Sequence, residues 1–146
     1  MEHIPFALIK ARAVIMHEDK IFLGKLNNPA NFYCLPGGTL EKNEDLVSGL
    51  KREMFEELGV EAKIGPLVYT QQIIRENESK FDFWYWIENP EDFLDVDLSK
   101  ASHGFEHSEV GFYDPSMLDA PYRPEILPEL MKIWHEKGPV FIQEMQ

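Results

Sequence analysis

The sequence predicts an α/β domain: a mixed β-sheet packed with helices. Three observations carry that expectation. Residues number 146 and 44% of them are apolar, which is the size and composition of one domain with an ordinary core. Two-residue and helical apolar periodicities alternate in the order β-β-α-β-β-β-α. No internal repeat, low-complexity tract or apolar run of membrane-spanning length interrupts that order.

Each element has its own signal. Ile9–Leu26 holds two β-rich runs around the polar turn His17–Lys20 and predicts a hairpin. "FYCLPGGTL" predicts a short strand entering a Pro36-Gly37-Gly38 turn. "KNEDLVSGLKREMFEELGV" predicts a helix, with Asn43 as N-cap and Gly59 as its stop. Val47, Leu50, Met54 and Leu58 fall in one arc of about 80°, the expected core stripe. "VEAKIGPLVYTQQIIRE" and "FDFWYWIE" predict strands around the turn "NESK", and "VGFYD" a last strand. "MLDAPYRPEILPELMKIWHEK" predicts one or two short helices.

Charge narrows the function. The formal net charge is −12, and no basic stripe is present. Such a surface repels nucleic-acid phosphates and anionic membranes, so polymeric nucleic acid and membrane are excluded as expected partners. Small phosphorylated substrates remain, provided a divalent cation bridges the two sets of negative charge. The lone cysteine, Cys34, excludes an intramolecular disulfide. Residues 1–20 carry no basic leader with an h-region and cleavage site, so the expected location is the cytoplasm.

The helix poses a charge problem. Glu53, Glu56 and Glu57 share an arc of about 100° beside the core stripe. Like charges at i,i+3 and i,i+4 destabilise a helix by roughly 0.2–0.5 kcal/mol per pair. They also sit in the last turns, where the helix dipole prefers cations. Gly49, one turn before Glu53, costs about 1 kcal/mol relative to alanine and leaves room for something to approach. A divalent cation resolves the repulsion, since carboxylate oxygens are the hard ligands Mg²⁺ takes.

These residues carry a family resemblance. Gly38–Val60, "GTLEKNEDLVSGLKREMFEELGV", resembles the Nudix box G-x5-E-x7-R-E-U-x-E-E-x-G-U, where U is a bulky aliphatic residue. Gly38, Glu44, Arg52, Glu53, Glu56, Glu57, Gly59 and Val60 match, and Met54 stands at the first U position. The resemblance implies an α/β/α sandwich with the box as a loop-helix-loop. It also implies metal-dependent hydrolysis of a nucleoside diphosphate linked to another moiety, such as a nucleoside triphosphate or nucleotide sugar. Mg²⁺ or Mn²⁺ would lie on Glu53, Glu56 and Glu57, oriented by Arg52. Gly37 and Gly38 would let the backbone turn close to that site. Glu53 is one candidate base. In some members the base comes from a loop before the last strand, which here offers Glu106 and Glu109. Members often form homodimers.

Other readings are weaker. A Nudix-fold binding module without catalysis would be expected to lose a metal glutamate, and none is missing. Non-nucleotide diphosphates are an alternative substrate class. "HGFEH", His103–His107, also fits the zinc pattern H-x-x-E-H, but Gly104 and non-periodic flanks argue against the helix that zinc chemistry needs. Phe81, Phe83, Trp84, Tyr85 and Trp86 are mostly strand core with one or two members as candidates to face a base or sugar, as are Phe32, Tyr33 and Phe112, and Arg75 and Arg123 are candidates to contact phosphate. The downstream position where ADP-ribose enzymes carry proline falls near Glu76.

Overall fold

A computed structural model describes residues 7–27, 29, 31–118 and 120–143. In chain order its elements are β1 (Ala7–Val14), β2 (Met16–His17), β3 (Lys20–Leu26), β4 (Tyr33–Cys34), β5 (Gly37–Thr39) and α1 (Leu46–Leu58). There follow β6 (Ile64–Arg75), β7 (Glu78–Ile87), β8 (His107–Tyr113), β9 (Tyr122–Arg123) and α2 (Leu127–Lys137). The strands form two sheets rather than one. The first has the order β5-β1-β7-β6, with β1 and β7 parallel. The second runs β2-β3-β4-β9, and β8 also pairs with β3. Both are mixed, since β4 and β9 are parallel as well.

The predicted hairpin at Ile9–Leu26 divides between the sheets. β1 pairs with β5 and β7, and only Met16–His17 turns back onto β3. The crossing falls at Ile15, which is fully buried and accepts the Phe22 amide at 2.9 Å. The β6–β7 hairpin is present, closed by the pair Arg75 and Glu78. Pro66 lies in β6, an edge strand with irregular register from Ile64 to Tyr69, where a missing donor is tolerated.

Two apolar clusters hold the layers. Leu50, Met54 and Leu58 of α1 pack with Ala11, Ala13, Ile15, Phe22 and Phe93. Leu127, Leu130 and Trp134 of α2 pack with Val14, Leu23, Tyr69 and Trp84. The core stripe differs from expectation at Val47, which is 38% exposed. Leu40 and Leu46 pack on that cluster. The N-cap also shifts. Asp45, not Asn43, accepts the Ser48 amide at 2.8 Å, and Asn43 takes φ 64° in the turn before it. The later cap lets Glu44 leave the helix and face Arg52. Gly59 stops α1 with φ 72°, its amide donating to the Phe55 carbonyl at 2.9 Å. Among the described residues of the C-terminal helical region, α2 is the one α-helix, and Tyr122–Arg123 is a strand. Among the described residues, no helix is long and apolar enough to cross a membrane.

Candidate active site

α1 presents its acids at the edge of the first sheet, beside β5. Arg52 organises them. Its Nε and Nη2 donate to the two Glu44 oxygens at 2.7 and 3.0 Å, a bidentate pair. Its Nη1 reaches Glu56 Oε2 at 3.0 Å and Glu53 Oε1 at 3.2 Å. The hydrogen bond from Arg52 holds the Glu44 carboxyl below its usual value. Arginine and carboxylates therefore relieve much of the repulsion expected from sequence. Gly49 contributes differently than expected. A Cβ there would lie 2.3 Å from Leu40 and 2.9 Å from Glu44 Oε1, so the space is filled by the chain itself.

Histidines supply the next partners. Nδ1 of His103 lies 3.2 Å from Glu56 Oε2, and Nε2 of His107 lies 3.2 Å from Glu57 Oε1. The side chains of His107 and Glu57 are almost fully buried. Thus "HGFEH" is no zinc helix. It is a three-residue 3-10 turn, Gly104–Glu106, whose flanking histidines reach two different glutamates of α1. In the sequence these histidines stand out only through their H-x-x-E-H spacing.

Two carboxylates remain under strain. Burial, then the Glu57 charge, pushes the Glu53 carboxyl up to about 6, despite Arg52. Glu57 Oε2 is buried without a hydrogen-bond partner. Both residues line a cavity of about 980 Å³ between the two sheets, with Glu106 beside them. Burial and the Glu57 charge likewise raise Glu106 above its usual value. Glu56 and Glu109 do not line this cavity. Glu109 instead accepts a hydrogen bond from the Tyr33 hydroxyl and lies 4.0 Å from Lys25 Nζ.

The two glycines make close approaches. A Cβ on Gly38 would sit 2.6 Å from the Glu53 carboxyl, so a bare backbone is what lets Glu53 lie against β5. Gly37 has φ 141°, and a Cβ there would meet the Ala11 carbonyl at 2.1 Å. Of the residues considered for substrate contact, Phe32, Trp84, Arg75 and Arg123 line the cavity, whereas Tyr33 and Phe112 do not. Arg123 lies over the Phe32 ring at 5.4 Å. Lys10, Arg12, Lys80 and Asp82 also line it and were not singled out by sequence.

A divalent cation fits this donor set. An unpartnered buried carboxylate oxygen and a neighbouring acid that resists ionisation both gain from a hard cation. Among the described residues, no three His, Cys, Asp or Glu side chains form a ready cage. Mg²⁺ is usually held by one or two carboxylates, with waters and substrate phosphate completing the shell.

The fold and this cavity define an α/β sandwich whose acidic helix borders a large cavity with acidic and basic walls. The chain belongs to the NUDIX domain family, whose model matches residues 8–132. It is 31% identical over 71 residues to an 8-oxo-dGTP diphosphatase of Buchnera aphidicola, covering 48% of this chain and 57% of that protein. It is 44% identical over 59 residues to the low-salt glycan biosynthesis protein Agl8 of Haloferax volcanii, covering 39% of this chain and 38% of that protein. The chain therefore spans little more than half of one curated relative and less than half of the other. A NUDIX hydrolase from Nitrosomonas europaea superposes with a TM-score of 0.70 at 24% identity, over 97% of this chain and 79% of that one. That likeness speaks for the fold.

Proposed function

We propose that the chain hydrolyses a pyrophosphate bond in a nucleoside diphosphate joined to a further group, with a divalent cation held by Glu53 and Glu57. One observation carries the reading: two under-neutralised carboxylates of α1 open into the same cavity as five basic residues. That pairing of charges suits a phosphate chain with a cation between it and the acids. When bound, such a cation neutralises the pyrophosphate and favours hydroxide formation from water.

The chain's own residues divide the remaining work. Arg52 fixes Glu53 and Glu56 in place through Nη1, and His107 fixes Glu57 through Nε2. Glu56 serves the cluster by holding Arg52 and His103 rather than by facing the cavity. Glu106 is the proposed base. It lies in the cavity beside Glu57, whereas Glu109 is engaged by Tyr33. A general base must be within hydrogen-bond reach of the water proton it takes, or one water away. Arg12 stands where it can orient anionic oxygens of the pyrophosphate.

A panel of nucleoside di- and triphosphates and nucleotide sugars with Mg²⁺, scored by product mass, tests this reading. Cleavage between two phosphates, lost in EDTA and in Glu57→Gln, is the expected result. Metal and nucleotide binding without any turnover would overturn it in favour of a binding module.

A further inference from the structure

The cavity has a second chemical half, remote from the glutamates. Alternate residues of the first sheet form its floor in consecutive register. Lys10 faces Thr39 and Asp82 as neighbours, and Asp82 faces Gln71; Arg12 neighbours Gly37 and Trp84. Adjacent strands lie about 4.8 Å apart, so β7 is roughly 10 Å across the sheet from β5, where Glu53 rests on Gly38. Lys80 and Asp82 on β7, with Gln71 and Arg75 on β6, therefore meet a part of the ligand beyond the pyrophosphate.

That floor is charged and incompletely satisfied. Five of the chain's 14 lysines and arginines line this one cavity, although the chain is strongly acidic. Lys80 pairs with Glu78 at 3.4 Å, and Arg12 donates to the Leu35 carbonyl at 3.2 Å. Burial, with Arg12 and Lys80 nearby, pushes the Lys10 ammonium below its usual value, and Asp82 offsets this only in part. Asp82 is 6% exposed. Its Oδ2 accepts from Gln71 Nε2 at 3.0 Å, but Oδ1 has no partner, and the buried Nε1–H of Trp84, which also lines the cavity, has none either. A buried acceptor and donor left unmet cost free energy that a ligand can recover.

We propose that this floor is a subsite for the group on the far side of the pyrophosphate, and that this group is hydroxyl-bearing with an anionic group of its own. Asp82 Oδ1 accepts from a hydroxyl, Trp84 Nε1 donates to an oxygen, and Lys10 and Lys80 take the anion. An apolar tail would leave Lys10 and Asp82 Oδ1 unmet, and a bare nucleobase, although its N–H groups could donate to Asp82, would bring no anion to Lys10 and Lys80. The proposal rests on the pyrophosphate reading only for which end of the cavity the scissile phosphates occupy.

Calorimetry in EDTA tests it without turnover or metal. The probes are glucose 6-phosphate, which has both features, glucose, which has hydroxyls only, and inorganic phosphate. Glucose 6-phosphate is expected to bind about tenfold or more tighter than either single-feature probe, as one charge-assisted contact implies. Lys80→Gln and Lys10→Gln should each weaken it about tenfold, and Asp82→Asn should weaken glucose 6-phosphate while sparing phosphate. Thermal melts of each variant exclude unfolding, and Lys80→Gln serves if Lys10→Gln does not fold. Equal affinity for phosphate and glucose 6-phosphate, or indifference to all three substitutions, overturns the subsite. Because no hydrolysis is measured, these results stand apart from the panel that tests the reaction.

Discussion

Replacing Glu53 by glutamine should stabilise the metal-free protein while impairing its response to metal. Glu53 has a usual value of 4.5 and is pushed up to about 6. A rise of roughly 1.5 corresponds to about 2 kcal/mol of native-state ionisation cost. The sign follows from the proton count. Below pH 4.5 the group is neutral both folded and unfolded, and no cost exists. As pH rises from 4.5 through 6 the unfolded chain ionises first, so stability falls, and the loss is complete above about 6. The Glu53 side chain is 14% exposed, so solvent screens little of this, although the variant forfeits the 3.2 Å contact with Arg52. The gain at pH 7 in EDTA is then at most about 2 kcal/mol, or about 4–8 °C in Tm for a chain of this size. Saturating Mg²⁺ should reverse the ranking. A cation at a hundred times its dissociation constant adds about 2.7 kcal/mol to the wild type, and the variant should receive much less. Differential scanning fluorimetry at pH 4 and 7, with EDTA or Mg²⁺, reads all four conditions. A lower Tm for Glu53→Gln in EDTA at pH 7, or an equal gain at pH 4, would refute the burial argument.

Four further outcomes are expected. Glu106→Gln should lower kcat by about 10²–10⁴-fold, the usual range for a general base, whereas Glu109→Gln should stay within a few fold; steady-state kinetics on a turned-over nucleotide distinguishes them. His107→Gln should weaken metal binding by about 10–100-fold through loss of the group that orients Glu57, measured by Mn²⁺ titration. Gly38→Ala should displace the Glu53 carboxyl and cost metal affinity with a modest change in Tm, because the clash falls on a flexible side chain. Gly37→Ala should instead lower Tm, since its clash is with backbone at Ala11 and its φ is 141°.

Local signals were legible in the sequence, and placements across the fold were not. α1 was readable because Leu50, Met54 and Leu58 recur at helical spacing and Gly59 ends the run. Its start is ambiguous by two residues because Asn43 and Asp45 are both good caps; in the fold Asp45 takes the cap and Glu44 turns to Arg52. The first hairpin was misread because its alternation is the same whether the second strand stays in one sheet or crosses to another. Gly49 was read as an opening because a sequence does not reveal that Leu40 folds back onto it. The basic floor was invisible for a similar reason. Lys10 lies some 65 residues from Arg75 and Lys80, and only the register of β1, β6 and β7 gathers all three on one cavity wall. No local pattern announces that His103 and His107 meet Glu56 and Glu57 some fifty residues upstream.

Gly24 gives that last contact a wider meaning. It lies on β3, in the second sheet, and a Cβ there would fall 2.5 Å from Nδ1 of His107. His107 belongs to β8 of that same sheet, yet its other nitrogen meets Glu57 on the helix packed against the first. The acidic cluster is thus anchored to both halves of the molecule at once. A shift of β8 relative to α1 would change the Glu57–His107 distance. A single methyl group at position 24 would therefore reach the acidic cluster from the second sheet, by displacing His107 from Glu57.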